Sequence, residues 1–323
     1  MSFLSYALKR CLQAIPTIVA IIAFTFLLVH MAPGDPVLRF VSHVGVSEEY
    51  LNALRAKMGL DKPLYVQFWI YFTNLARGDF GYSMFYRSPV LPTLMEALPR
   101  TVLIMGFGLA LAVALGIPIG VEAARRPHSR WDYLTTSLSV AGYSIPVYWL
   151  GLVAMIVFSV YFRLFPSGGM MAPGSTATGL KAAVEVLHHM VLPGLTLAAS
   201  QIALISRLAR QSTIEALSEN YILTARMKGL NERVITYRHA FRNSMLPVVT
   251  MIGLQIGIFV SWSVLTEIVF SWPGIGLLLW QSLMARDYPM LMGIFIIISI
   301  MVIISNLVTD LTYARLDPRI VYR

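Results

Sequence analysis

Cys11 is the only cysteine in these 323 residues. That excludes an intramolecular disulfide and any cysteine-rich metal site. Charge is nearly as scarce. Asp, Glu, Lys and Arg make up 13% of the chain, against about 25% in soluble domains. Acids are the rarer sign, 16 against 25 bases. Motifs for chemistry are missing as well. No Gly-x-x-x-x-Gly-Lys-Ser/Thr run occurs, so the chain has no nucleotide site of the P-loop type. There is no His-Glu-x-x-His and no Gly-x-Ser-x-Gly, and the histidines form no spaced set. A membrane protease or transferase is therefore unsupported, and any work done here draws its energy from another polypeptide.

What the sequence has in abundance is apolar length. Hydrophobic residues make up 57% of it and the mean hydropathy is +0.69. This composition predicts an all-α integral membrane protein, residues 1–323 forming one transmembrane domain. Six apolar runs read as membrane crossings: 12–31, 101–121, 133–162, 191–206, 246–270 and 290–309. The first is long and ends on no small-residue cleavage site, so it is expected to stay as an anchor. Fifteen of the 25 Lys and Arg fall on the side that carries Lys9, Arg10 and the tail. Seven of the remaining ten lie in one long segment, whose vote counts for little. The bias predicts both termini inside. The net charge of +9 is then explained by anionic lipid and this bias, without nucleic acid.

Between the first two runs lies a polar segment, 32–100, expected to be a compact cap outside the membrane. It contains Ala32-Pro33-Gly34-Asp35-Pro36, Met58-Gly59-Leu60-Asp61-Lys62-Pro63 and Gly78-Asp79-Phe80-Gly81-Tyr82-Ser83, and ends at Leu98-Pro99-Arg100-Thr101. These read as turn phrases. A short helix over 47–58, capped by Ser47, is predicted between two of them. Gly106, Gly108, Ala110, Gly116 and Gly120 in the second run predict close helix packing. Pro118 should kink its end. Pro146 should bend the third run, whose surplus length suggests tilt or an interfacial portion. Polar residues inside membrane runs are default functional candidates: Gln201, Gln255, Glu267, Asn306 and Asp310. Gln201 and Gln255 could line a passage or bond between helices. Glu267 could meet substrate or a docked protein, with Asp287 nearby, or could cap the loop that follows it. Asp310 is expected to pair with a basic residue. Met170, Met171, His188 and His189 tempt a metal reading, but adjacent histidines diverge on a helix.

The segment 211–245 is the most informative. Its core reads Tyr221, Thr224, Ala225, Arg226, Lys228, Gly229, Leu230, then His239, Arg242 and Asn243, with Pro247 just beyond it. A helix over 220–228 is predicted, with Gly229 ending it. Tyr221, Ala225 and Gly229 are spaced by four and share a face, where small residues would let a partner come close. This order resembles the cytoplasmic EAA loop of binding-protein-dependent ABC importer permeases, nearest the peptide and nickel branch. Leu223 and Thr224 depart from the general pattern's first Glu and Ala. The turn phrases above and Glu267-Ile268-Val269-Phe270-Ser271-Trp272-Pro273-Gly274 resemble the same branch, which extends the likeness from Arg10 to Arg319.

The resemblance implies a type I importer permease fold and the first permease subunit of a dipeptide or oligopeptide importer in a bacterial inner membrane. It also implies a second permease subunit, two ATPase subunits that hold ATP and Mg, and an extracytoplasmic substrate-binding protein. Site residues implied for ATPase coupling are Tyr221, Thr224, Ala225, Arg226, Lys228, Gly229, Leu230, His239, Arg242 and Asn243. No cofactor or metal is expected in this chain. Nickel chelates, glutathione, antimicrobial peptides, sugars and opines are cargoes of similar branches. A stand-alone channel or secondary carrier would explain the runs but not 211–245.

Overall fold

The computed structural model describes residues 3–31 and 61–316, with 48, 49, 52 and 56 between them. Side chains at 3–9, 11, 254, 256–258, 261 and 310–316 lie outside the description. The helix expected over 47–58 and the Asp310 pairing fall outside it.

Among the described residues, ten helices of eight residues or more carry the architecture: α1 Phe3–Met31, α2 Leu64–Ala76, α3 Val90–Arg125, α4 Arg130–Ser144, α5 Val147–Ala154, α6 Gly179–Leu217, α7 Asn220–Met227, α8 Phe241–Val269, α9 Ile275–Ala285 and α10 Tyr288–Leu316. A two-residue hairpin, β1 Tyr82–Ser83 with β2 Ser88–Pro89, precedes α3. Residues Met155–Tyr161 continue α5 as a wider π-helix, and Ile235–Ala240 lead into α8 in the same form. Four helices, α1, α3, α6 and α10, are apolar enough and long enough to cross a membrane. The bent pair 130–144 and 147–161 passes the same test of length and composition when taken together, as a broken span or a re-entrant loop. With 29 residues, α8 also has the length to cross.

Three expectations are corrected. First, Pro99 is not in a turn. It lies ten residues inside α3, which starts at Val90. Proline costs one backbone hydrogen bond, and a packed membrane helix tolerates that loss. Second, the third run is not one helix with a kink but two helices broken at Pro146, a sharper form of the bend expected there. The chain breaks by 103° between Ser144 and Val147. Pro146 forces Ile145 into extended backbone (φ −83°, ψ 127°) and restarts the helix as its N-cap residue. Third, α6 has 39 residues, far more than the 16 of the run 191–206, and takes in Pro193 and both His188 and His189.

Close packing of α3 on α6 centres the fold. Gly108, Ala112, Gly116 and Gly120 recur every fourth residue of α3 and face α6. A β-carbon at Gly120 would sit 2.3 Å from the Ser206 carbonyl oxygen, so only glycine lets the backbones meet there. Gly106 has no neighbour within 4 Å and takes no part in this contact. Around the seam, Ile104, Leu197 and Phe259 join α3, α6 and α8, while Ala198, Ile205 and Val248 fill the next layer. Arg210 of α6 holds Asp132 of α4 with both forks of its guanidinium, Nη2 to Oδ2 at 2.8 Å and Nε to Oδ1. Peripheral α2 leans on α1 through Phe68 against Phe26, with ring centroids 5.4 Å apart, and through Gln67 bonded to His30 at 3.1 Å.

Candidate coupling site

The knob between α6 and α8 begins where Ser218 caps α6. Helix α7 runs Asn220–Met227, matching the helix expected at 220–228. Gly229 has φ +75°, the left-handed region, and its N–H bonds back to the Arg226 carbonyl at 2.9 Å. Leu230 N–H reaches the Ala225 carbonyl at 3.4 Å. This is a glycine-terminated helix end of the kind the sequence predicts. Asn231 then caps the single turn Glu232–Val234, its Oδ1 accepting from Arg233 N–H at 2.9 Å.

A small apolar core anchors the knob. Ile222 and Ile235 are fully buried, with Ala216, Ala225 and Ala240 around them. The expected face of Tyr221, Ala225 and Gly229 is therefore divided. Ala225 turns into the protein, while Tyr221 is exposed and gives its hydroxyl as acceptor to Asn243 Nδ2 at 3.1 Å. Arg226 is committed within the knob. Its Nε and Nη2 grip the two oxygens of Glu232 at 2.7 and 3.3 Å. The Glu232 carboxyl is thereby held below its usual range. Thr224, Lys228, Gly229, Leu230, Arg242 and Asn243 are exposed, and His239 is half-buried.

The sequence reading missed Leu223 and Met227, the apolar centre of the exposed face. They are 56% and 74% exposed, and Leu230 lies beside them in sequence spacing of three and four. The signal was present: 223 and 227 are spaced by four on α7, turned away from Ile222 and Ala225, and exposed Leu230 follows just past the turn at Gly229. Beside it an open concavity of about 610 Å³ is lined by Asn231, Arg233, Val234, Tyr237 and Arg238. Apolar projections beside a basic hollow suit a protein partner with an acidic rim.

At the other end of α8 the acids are inward-facing. Glu267 is fully buried, and its Oε2 accepts from Gly276 N–H at 2.6 Å. Asp287 is 1% exposed, accepts from the Ser83 hydroxyl, and stands at the start of α10. Both side chains hold the loop, which is the second of the two roles read for Glu267. Gln201 is buried on α6, and its amide makes no hydrogen bond among the described residues. Gln255 is half-buried and Asn306 exposed. His188 and His189 diverge, their rings 87° apart and each bonded to a carbonyl, of Leu164 and Glu185 respectively.

Comparison with known proteins matches two family models. One, described as binding-protein-dependent transport system inner membrane component, covers residues 116–322. The other, for the N-terminal part of such membrane components, covers residues 3–105. The chain is 37% identical over 334 residues to the dipeptide transport system permease protein DppB of Escherichia coli K12, covering 98% of each chain. It is 37% identical over 319 residues to the oligopeptide transport system permease protein AppB of Bacillus subtilis 168, covering 98% of this chain and 99% of that relative. To the glutathione transport system permease protein GsiC of Salmonella typhimurium LT2 it is 38% identical over 321 residues, covering 99% of this chain and all of that relative.

Proposed function

This chain belongs to the family of binding-protein-dependent transport system inner membrane components, and on that premise we propose that it is the permease subunit of an ATP-driven importer of dipeptides and short oligopeptides. Its similarity to permeases of dipeptide, oligopeptide and glutathione transport systems supports short peptides as cargo. The knob carries the proposal. Exposed Leu223, Met227 and Leu230, flanked by Lys228, Arg233 and Arg238, form a docking surface on a body that its own small core fixes to α6 and α8. A second permease subunit, two ATPase subunits and an extracytoplasmic binding protein complete the assembly. ATP and Mg are handled by the ATPase subunits. Both termini and the knob face the cytoplasm in this reading, which the Lys and Arg bias supports.

The mechanism follows from the attachments. A partner that grips α7 moves the Ile222 and Ile235 core with it, and this core is continuous with the ends of α6 and α8. Tyr237 also reaches Glu122 at the end of α3, at 3.5 Å. Motion at the knob is thus delivered to three spans together. The broken span at Pro146 supplies a place where the bundle can rearrange, and packed helices move between discrete arrangements more readily than they deform.

Co-expression with the second permease and the ATPases, followed by reconstitution with the binding protein, tests the reading. ATPases should co-purify with this subunit. ATP-dependent uptake of a labelled dipeptide, and of glutathione as the contrasting tripeptide, should appear in vesicles. A subunit that purifies alone and passes solutes without ATP would instead be a channel or carrier.

A further inference from the structure

The wall of the passage is still unassigned, since three of the four polar residues first considered for it, Gln201, Glu267 and Asp287, are buried. Helix α4 has a different kind of surface. One side packs on α6: Asp132 and Thr135 are buried, and a β-carbon at Gly142 would meet that of Ala203 at 3.6 Å. At about 100° per residue, the exposed remainder divides into two flanks. A sector of about 120° carries Tyr133, Thr136, Ser137, Val140, Tyr143 and Ser144, of which five bear hydroxyls. The neighbouring sector carries Leu134, Leu138 and Ala141, with Arg130 of the first turn on the border between the two.

Such a division is not what a lipid-facing helix needs. Tyrosines gather at a membrane boundary, but this flank runs from Tyr133 to Ser144, about 17 Å along the axis at 1.5 Å per residue. That is too long for a boundary belt. A second observation comes from another helix. Arg207 of α6 is exposed and lies over the Tyr143 ring, 5.8 Å from its centroid. It stands one residue past the apolar run 191–206, at the inner end of that crossing. A cation held there over a ring of the hydroxyl flank continues this polar surface to the inner mouth of the bundle.

We propose that the hydroxyl flank of α4, with Arg207, lines the water-filled passage, and that Arg207 receives the carboxylate of a passing peptide while the hydroxyls bond its amides. Leu134, Leu138 and Ala141 face lipid. This rests on the importer reading above and adds where the substrate travels. Hydroxyls without acids suit the task, because they bind each peptide weakly enough to release it.

The test uses the assembled importer on a Cys11→Ser background. Ser137→Cys and Ser144→Cys are compared with Leu134→Cys and Leu138→Cys, using a charged, membrane-impermeant methanethiosulfonate. The first pair should react at least tenfold faster, and their modification should abolish dipeptide uptake. Arg207→Gln should lower uptake at least tenfold at saturating binding protein with the ATPases still bound, and Arg207→Lys should restore most of it. Equal reaction on both flanks would overturn the proposal. So would unchanged uptake in Arg207→Gln, or reaction of Ser137→Cys only in the isolated subunit, which would make this flank a permease–permease contact. The Cys11→Ser parent separates the two readings. If it imports no peptide, the importer reading fails, while the labelling pattern still decides which flank meets water.

Discussion

The segments at the two ends of α8 contrast sharply in what they do with polar residues. The knob, 220–243, turns its charges outward, keeps a small aliphatic core beneath them, and leaves Leu223 and Met227 uncovered. The segment 267–287 buries Glu267 and Asp287, closes Trp272 and Ile275 against α3, and buries Phe270 beside Gly151 of α5. Trp272 donates its indole N–H to the Arg100 carbonyl at 2.9 Å, and Ile275 N–H donates to Thr101 at 2.8 Å. One segment is built as a surface for something else to hold. The other is built as a seal. Charge in a loop is therefore no guide to function until it is known which way the charge faces.

Their glycines break or sharpen this contrast most strongly. A β-carbon at Gly276 would lie 2.5 Å from the Val264 α-carbon, which is backbone and cannot yield. Gly276→Ala should cost about 3 kcal/mol through forced displacement. It should lower Tm in detergent by several degrees and reduce the yield of folded protein. Gly229 has nothing within 4 Å of its would-be β-carbon, and only its φ of +75° opposes a side chain. Gly229→Ala should cost about 1 kcal/mol. If the two substitutions shift Tm equally, the description of 267–287 as a tight seal is wrong.

Next in size is the buried acid. Glu267→Ala leaves the Gly276 N–H without its acceptor in a dry site, at a cost of about 2 kcal/mol. Glu267→Gln keeps an oxygen there and should retain most of the stability. Thermal unfolding followed by light scattering or intrinsic fluorescence compares the two. An Ala variant as stable as the parent, with transport lost, would return Glu267 to a direct role in handling substrate.

The knob should respond in the opposite manner. Met227→Asp places a charge on the surface offered to the ATPase while touching nothing buried. Tm should stay within about the effect of an ordinary surface change, roughly 0.5 kcal/mol. Peptide uptake should fall at least tenfold, equivalent to about 1.4 kcal/mol of lost coupling. Pull-down of the ATPases with the variant, beside uptake, reads both quantities. Normal uptake would mean that Met227 is not held by the partner.

Much of this was legible in advance, for reasons tied to particular residues. The span limits at Met31 and Thr309 follow from apolar length alone. The end of α7 follows from Gly229, because few other residues accept its backbone conformation. The direction of Ala225 was not legible, since its burial depends on Ile235 and Ala240 folding back from beyond the turn. The roles of the acids were hidden for the same reason. Asp287 is held by Ser83, 204 residues away. Pro99 misled because a local rule for chain breaks was applied where neighbouring helices support the backbone. Local signals fix the ends of helices, but the sides they present are decided by distant parts of the chain.

The smallest effect concerns the ion pair inside the knob. Arg226 and Glu232 are about half-exposed, with side-chain exposures of 45% and 58%, so water screens them. Such pairs contribute about 0.2–1 kcal/mol. Arg226 holds the folded-state Glu232 carboxyl below its ordinary value. Its contribution is therefore complete above the unfolded glutamate pKa and is lost as pH falls through the lower, folded one. At neutral pH, Glu232→Gln should lower Tm by a degree at most, and the difference from the parent should vanish in acid. The contrast with 267–287 lies in what this pair does despite being weak. It sets the angle between α7 and the turn at 232–234, and hence where Leu223 and Met227 stand relative to Arg233 and Arg238. Glu232→Gln should consequently reduce ATP-coupled uptake by a larger factor than its stability loss accounts for. A charge swap, Arg226→Glu with Glu232→Arg, should recover part of it. If the swap recovers nothing, Arg226 acts on the ATPase directly and not through the shape of the knob.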